Sequence, residues 1–273
     1  MAHTTSHTWQ HNARIFWALL RRDFKMLKNK IRSMIIDTSI TTFIEILTFG
    51  SFFPLLGLPH EMIAPLYVGI AFAILIFYQG YVFSVNVLDE IPHFRSTRME
   101  YQLILPLPKT WLFAEYILYF MIETFIITTP VIWVGAWVLY DAFAITKITW
   151  LNWLLFFAID LGVLTFCGIF FLALAFLFDY FWFRDNIWSR CLSWFFNLSA
   201  IFTTWYSIKK TSPIFAQIFL INPFTHATEA LRAGLLGQEG YLPIGWSMLT
   251  LLVCSIIGIA AARHGIHKQL DPV

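Results

Sequence analysis

His226 and Glu229 are the best-placed pair of chemically reactive side chains in this sequence. They stand three residues apart in INPFTHATEALRAGLLG, residues 221–237, so a helix would carry both on one face. Such a pair can act as a general base or as two ligands of a metal ion. No further cluster of His, Asp or Cys and no nucleophile motif accompanies it. The sequence therefore favours neither an enzyme nor a metal site.

Four carboxylates, Glu45, Glu115, Glu123 and Asp160, fall inside long apolar runs. Each costs about 2.5–3.5 kcal/mol at the centre of a membrane, so each should face the protein interior, water or a partner. One interpretation is a proton or cation relay, which would make the protein an ion-coupled secondary transporter. The other is a structural hydrogen bond between helices. The second is favoured because no Lys or Arg lies at matching depth and no interrupted helix is visible.

The composition of the chain indicates whether it folds in water or in a membrane. Hydrophobic residues make up 59% of the 273 positions, charged residues 12%, and the mean hydropathy is +0.69. A soluble domain carries about a quarter charged residues, so the sequence predicts an integral membrane protein. The apolar runs show no alternation, which favours an all-α protein over a β-barrel. Six runs are long enough to cross a bilayer, at 34–56, 62–87, 110–140, 148–178, 187–207 and 242–262.

The distribution of positive charge predicts the orientation. With the N-terminus inside, fourteen of the 18 Lys and Arg residues lie on the cytoplasmic side and four on the outer side. Both termini are therefore expected in the cytoplasm, with the chain in a bacterial cytoplasmic (inner) membrane. Membrane lipids are the expected surroundings, and nothing indicates a nucleic-acid partner.

Residues 1–33 are expected to form a cytoplasmic leader with an amphipathic helix in the headgroup plane, ahead of a six-span domain over 34–273. Helical spacing gathers apolar and basic side chains into separate sectors, as in a helix that binds anionic lipid or an acidic partner. The apolar sector holds Phe16, Leu20, Phe24, Leu27 and Ile31, and the basic sector Arg14, Arg21, Lys25, Lys28 and Arg32.

The connection between the second and third segments, about 88–108, is longer than a turn requires. It mixes both signs of charge with aromatic residues and closes on Pro106 and Pro108. It is either a solvated loop or a short surface helix on which a partner could act. Its candidate contact residues are Asp89, Glu90, His93, Phe94, Arg95, Arg98 and Glu100.

Two short helix signatures occupy about 211–237. Ser212-Pro213 and Asn222-Pro223 are N-terminal signals, and Gly237 is a C-terminal signal. The second piece would be about 21 Å long against a hydrocarbon core of about 30 Å, so the pair should dip into the membrane and return. Its polar face should address water, a vestibule or another subunit, with Glu229 pairing to Arg232. That face carries Thr225, Thr228, Glu229 and Arg232, opposite Phe224, Leu231 and Leu235.

Aromatic residues near the fifth segment are candidates for a substrate path, since aromatic faces suit sugars, lipids and drugs. These are Trp194, Phe195, Trp205 and Tyr206. Aromatic belts at the membrane interface explain most of the other Trp residues without a substrate.

The stretch NPFTHATEALRAGLLG, residues 222–237, resembles the C-terminal signature of ABC-2-type transporter permeases. RMEYQLILPLPKTWLFAEY, residues 98–116, is similar to the segment that follows the second span in that family, although Met99 and Tyr101 depart from its commoner pattern. The resemblance implies a dimer of two permease chains driven by a separate ATPase, exporting a lipid, glycan or lipophilic small molecule. It also implies that residues 89–100 couple to the ATPase. The outer gate helix would carry Asn222, Pro223, His226, Glu229 and Arg232.

The chain lacks the G-x-x-x-x-G-K-[ST] loop that cradles nucleotide phosphates, because no Gly is followed by Lys. ATP and Mg²⁺ are therefore expected in the partner ATPase and not in this chain, which is expected to bind no cofactor. An ion-coupled secondary transporter that uses the intramembrane carboxylates is the alternative.

Overall fold

The computed structural model describes residues 2–48, 55, 57, 59–72, 76–89, 108–139, 143, 148–178, 186 and 192–270. Regular structure within these ranges is helical, without a strand, which confirms the all-α prediction. Ten helices are numbered here in chain order. They are α1 Ala2–Leu47, α2 His60–Phe72, α3 Tyr78–Asp89, α4 Lys109–Val138, α5 Trp150–Leu177, α6 Ser193–Asn197, α7 Trp205–Thr211, α8 Pro213–Ile221, α9 Pro223–Leu236 and α10 Ile244–Leu270.

Three described helices are long and apolar enough to cross a membrane. They are α4, α5 and the Ile244–Gly265 part of α10, with mean hydropathies of 1.8, 2.3 and 2.1. They correspond to the predicted segments 110–140, 148–178 and 242–262. The predicted segment 62–87 contains α2 and α3, and residues 73–75 between them lie outside the described residues.

α1 is one continuous helix of 46 residues, about 69 Å long at 1.5 Å per residue. No break marks the expected boundary between a leader and a first span, because the stretch contains neither Gly nor Pro. Leu20 and Leu27 of the predicted apolar sector are buried, whereas Phe24 is 38% exposed. Phe16 packs edge-on against Trp111 at the start of α4, with ring centroids 5.5 Å apart. α1 is therefore packed against the bundle along part of its length.

α5 lies at the centre of the bundle and packs against α3, α4, α9 and α10. An aromatic cluster joins it to the N-terminal end of α9, where the Phe224 ring is fully buried. The Phe224 ring centroid lies 4.4 Å from that of Phe77 and 4.9 Å from that of Phe170. Aromatic pairs at these separations add about 0.5–1.5 kcal/mol each beyond area burial. The short helix α9 is thus anchored in the core.

The prediction of one helix over 187–207 is wrong within the described residues. α6 ends at Asn197, residues 198–204 are not helical, and α7 begins at Trp205. Ala200 in this segment has a φ of 52°, outside the helical region. Asn197 Nδ2 donates to the Ser193 carbonyl at 2.8 Å, and Ser199 Oγ donates to that of Phe196 at 2.6 Å. These local hydrogen bonds compete with helix continuation.

α8 and α9 begin and end where their signals predict. Asn222 caps α9 by accepting a hydrogen bond from the Phe224 backbone N–H at 3.0 Å. Gly237 follows the last turn with a φ of 101°, which glycine adopts without strain. The local signals therefore position α9 directly ahead of α10.

Candidate functional site

The polar side chains of α9 face the non-helical residues 198–204 between α6 and α7, called the interrupted segment below. They meet the backbone carbonyls of this segment, and of Phe195 before it, in chain order. A carbonyl that leaves a helix inside an apolar bundle needs another donor, because no bulk water reaches it. Three side chains provide such donors. Asn222 Nδ2 donates to Phe195 O at 2.7 Å, Thr225 Oγ1 to Leu198 O at 2.9 Å, and Thr228 Oγ1 to Ser199 O at 2.6 Å.

Arg232 completes this series and reaches further. Its guanidinium is fully buried and donates to carbonyls on two parts of the chain. In the interrupted segment the acceptors are Ala200 O at 2.6 Å, Ile201 O at 2.5 Å and Thr203 O at 3.1 Å. In α2 the acceptor is Pro65 O, 2.8 Å from Nε. These four hydrogen bonds to carbonyls hold the 200–203 backbone against α2.

Glu229 compensates the charge of Arg232 and joins two further parts of the chain. Its Oε1 lies 3.0 Å from Arg232 Nη1, and both side chains are fully buried. Oε1 also accepts from the Trp205 backbone N–H at 3.2 Å, and Oε2 accepts from that of Leu242 at 3.4 Å. A buried ion pair is tolerated only where its remaining donors and acceptors are satisfied, as they are here. The predicted pairing of Glu229 with Arg232 is confirmed.

The polar face of α9 points into the protein, contrary to the prediction that it addresses water or another subunit, and of its residues only Arg232 borders a cavity. All residues from Phe224 to Leu236 are buried within this chain. The carbonyls of residues 195–203 take the place that water was expected to take. The polar face is consequently an internal clamp, called the α9 clamp below and defined by Asn222, Thr225, Thr228, Glu229 and Arg232.

His226 does not act together with Glu229. Its Nε2 lies 3.1 Å from the Leu220 carbonyl at the end of α8. A carbonyl can only accept, so Nε2 carries the proton. The oxygens of Glu229 are used by Arg232, Trp205 and Leu242. Within the described ranges no group of three or more His, Cys, Asp or Glu side chains is placed to hold a metal ion.

A cavity of about 270 Å³ opens beside the α9 clamp. Its walls come from the first two turns of α2, from residues 202–207 and from residues 239–241, and Arg232 forms part of its floor. Tyr241 lines it, and burial raises the pKa of this phenol to about 12, so the side chain is neutral. The same clamp that satisfies the interrupted backbone therefore fixes the walls of this cavity.

The four aromatic residues expected along a substrate path are separated. Tyr206 lines the cavity, whereas Trp194 is 66% exposed on α6 and does not line it. Trp205 donates its indole N–H to the Ala216 carbonyl at 2.9 Å, which ties α7 to α8. Phe195 packs on Phe224, with ring centroids 5.9 Å apart. Of these residues, Tyr206 has the geometry to meet a ligand in the cavity.

The remaining predicted sites are only partly visible. Asp89 is the last residue of α3, and Glu90, His93, Phe94, Arg95, Arg98 and Glu100 lie outside the described residues. Glu115 and Asp160 are buried, while Glu123 is half-buried. Asp160 Oδ2 has no hydrogen-bond partner within the described part of the chain. The side chain of Glu45 lies outside the description.

Sequence reasoning missed Gly69, on which the clamp depends. A Cβ at this position would collide with the guanidinium of Arg232 and with the Ile201 carbonyl. The available signal was a glycine inside an apolar helix, which indicates close approach of another group. The partner could not be read from the sequence, because Arg232 lies in a different part of the chain.

Comparisons of this chain with protein-family models, curated proteins and solved structures find no match.

Proposed function

We propose that this chain is the transmembrane subunit of an ATP-binding-cassette exporter, acting as a dimer with a separate ATPase. It crosses the inner membrane six times, with both termini in the cytoplasm and the fifth crossing interrupted at residues 198–204. Its cargo is a lipid, a glycan or a lipophilic small molecule. The observation that carries the proposal is α9, the helix formed by the motif that resembles ABC-2-type permeases. It sits directly before an apolar helix long enough to span a membrane.

The α9 clamp supplies the stiffness that a driven gate requires. It ties the interrupted segment, α2 and the start of α10 together through Glu229 and Arg232. In this proposal α8 and α9 form the re-entrant pair. Because α9 is buried against residues 195–203, the gate moves as one body with that segment and not as a free lid.

The opposite part of the bundle offers a place for the ATPase to act. The coupling region, residues 89–100, precedes α4, whose first turn includes Trp111. Phe16 and Trp9 of α1 pack on the Trp111 ring with centroids 5.5 and 6.3 Å away. Displacement at the start of α4 therefore acts directly on α1.

α1 also presents a basic surface for docking. A groove of about 570 Å³ on this helix is lined by Arg14, Arg21, Arg22 and Lys25 beside Trp17, which is 63% exposed. Such a combination of charge and exposed aromatic surface suits an acidic protein face or anionic lipid. In the exporter it contributes to binding of the ATPase.

The test is vanadate-sensitive ATP hydrolysis by complexes purified through a tag on this chain from membranes of the organism that encodes it. Arg95→Glu with Arg98→Glu is expected to abolish the co-purified ATPase activity, because both charges lie in the proposed coupling region. Lys209→Glu with Lys210→Glu is the matched control and is expected to retain it. Absence of ATPase activity from the wild-type complex, or equal activity in both double variants, contradicts the proposal.

A second candidate, an ion-coupled secondary transporter, is favoured by the buried Asp160, whose Oδ2 has no partner among the described residues. A carboxylate inside a bundle is expensive and commonly serves ion or proton movement. Efflux of a lipophilic dye from vesicles separates the two candidates. An exporter driven by ATP stops when ATP is depleted and the proton gradient is kept, whereas the ion-coupled transporter continues.

A further inference from the structure

The cavity beside the α9 clamp combines two carboxylates with aromatic rings. Glu61 and Glu239 line it, and both are exposed to solvent. Within the described residues neither carboxylate forms an ion pair. Phe202, Tyr206 and Tyr241 line the same space. Carboxylates attract a cation from a distance, and aromatic faces hold it at close range through their quadrupoles.

The surrounding charges leave the cavity negative. Arg232 in the floor is compensated by Glu229 at 3.0 Å, so this pair contributes no net charge. Outside the pair, Lys210 lies close to one wall, with its ammonium 4.7 Å from the Tyr206 ring centroid. One lysine against two carboxylates leaves an excess of negative charge. The contact also shows that an ammonium group can lie over this ring.

The walls are held rigidly enough to keep this arrangement. Arg232 donates to Pro65 O in the α2 wall and to Thr203 O in the 202–207 wall. Glu229 accepts from the backbone N–H of Leu242, next to the 239–241 wall. Preorganised walls reduce the entropy lost on binding. The cavity volume of about 270 Å³ falls below the roughly 300–1,000 Å³ of drug-sized sites, so the occupant is small.

We propose that this cavity binds a small soluble organic cation, an ammonium group with a short apolar body, between Glu61 and Glu239 and against the Tyr206 and Tyr241 rings. The ammonium lies near the two carboxylates, and its alkyl groups contact the aromatic faces. Phe202 adds apolar surface to the lining. This inference does not rest on the exporter proposal, since it concerns binding and requires no ATPase.

Choline is the probe, and its uncharged carbon isostere 3,3-dimethylbutan-1-ol is the control for charge. The full chain is reconstituted in nanodiscs of phosphatidylglycerol, which carries no ammonium group, and binding is measured by equilibrium dialysis. Choline is expected to bind saturably, with the isostere about tenfold or more weaker because it lacks the charge. Equal binding of the two compounds, or no saturable choline binding, overturns the proposal.

Variants locate the site. Glu61→Gln and Glu239→Gln are each expected to weaken choline binding about two- to fivefold, and together about tenfold. Tyr206→Leu is expected to weaken it about two- to fivefold through loss of the ring face. Asp37→Asn, which removes a carboxylate from α1, is the matched control and should bind as the wild type does. Lys210→Gln should bind at least as tightly. Undiminished binding by the double Gln variant with an unchanged unfolding midpoint overturns the proposal.

Two further arms identify the source of the cation. Nanodiscs that contain phosphatidylethanolamine present a lipid ammonium group, and an unchanged choline affinity in them supports a soluble ligand. A large loss of affinity assigns the site to a lipid headgroup and overturns the soluble assignment. Displacement of choline by Ca²⁺ far below the concentration at which Na⁺ acts would assign the carboxylates to a divalent cation instead. Either result leaves the exporter proposal standing, and a failed ATPase test leaves the cation site standing.

Discussion

Gly69 of α2 leaves open the space that the guanidinium of Arg232 in α9 occupies. A Cβ at residue 69 would collide with Arg232 Nη2, which donates to the Ile201 carbonyl. The absence of a side chain at Gly69 thus leaves room for the buried guanidinium between α2, α9 and the interrupted segment. The relationship makes the stability of the interrupted segment depend on a residue in another helix.

Gly69→Ala is expected to lower the free energy of unfolding by about 1–3 kcal/mol, because the added methyl group must displace Arg232 or the Ile201 carbonyl. Gly245→Ala in α10 is the matched control, since a Cβ there meets no atom within 4 Å. The control should be neutral or slightly stabilising. Equilibrium unfolding in mixed micelles provides the measurement, and equal effects at the two positions would refute the close approach.

Arg232→Met should destabilise the protein by about 3–5 kcal/mol, since it leaves the buried Glu229 carboxylate and the carbonyls of the interrupted segment without their donor. Glu229→Gln should cost less, because an amide oxygen in the place of Oε1 can still accept from Arg232 and from the Trp205 N–H, and only the Leu242 N–H loses its acceptor. A double-mutant cycle on the same unfolding assay measures the coupling between the two side chains. Additive effects would show that the pair contributes no coupling energy.

Thr228→Val keeps the shape of the side chain and removes its hydroxyl, which donates to Ser199 O at 2.6 Å. We expect a loss of about 1 kcal/mol or more, because a buried carbonyl loses a partner. Thr250→Val in α10 is the control, since the Thr250 hydroxyl is exposed and bonds its own helix at Trp246 O. The two variants are compared by their unfolding midpoints in the same detergent. A larger loss at position 250 would contradict the role of the clamp.

Asp160→Asn tests whether the Asp160 carboxyl has a structural role or takes part in a proton or cation relay. An amide of the same shape retains neutral hydrogen bonding, so the exporter proposal expects stability within about 1 kcal/mol of the wild type and unchanged co-purified ATPase activity. Asp160→Ala is expected to lower stability further through the cavity that it leaves. Loss of dye efflux in Asp160→Asn, with an unchanged unfolding midpoint, would instead support ion coupling.

Local signals predicted the ends of α9 correctly. Asn222 at its start satisfies the Phe224 N–H, and Gly237 at its end adopts the positive φ that a side chain disfavours. Both effects act within a few residues, so they are legible in the sequence. The pairing of Glu229 with Arg232 is equally local, because one helical turn brings the two side chains together.

The interruption after Asn197 was not predicted, because its cause is distant. A helix can release its carbonyls inside an apolar bundle only where other donors replace the lost ones. Arg232, which donates to these carbonyls, stands 32 residues beyond Ala200 in the chain. Hydropathy shows a mostly apolar run over 187–207 and carries no information about those donors.

The amino-acid sequence alone determined the helical class, the length and apolar character that would let α4, α5 and α10 cross a membrane, and the polar face of α9. Those properties follow from apolar run length, helical period and caps, which operate over a few turns. Tertiary structure alone decided that the polar face points into the protein, that Gly69 makes room for Arg232, and that Glu61 and Glu239 share one cavity. Burial of a charge depends on which carbonyls, N–H groups and opposite charges surround it in space, and distant parts of the chain provide them.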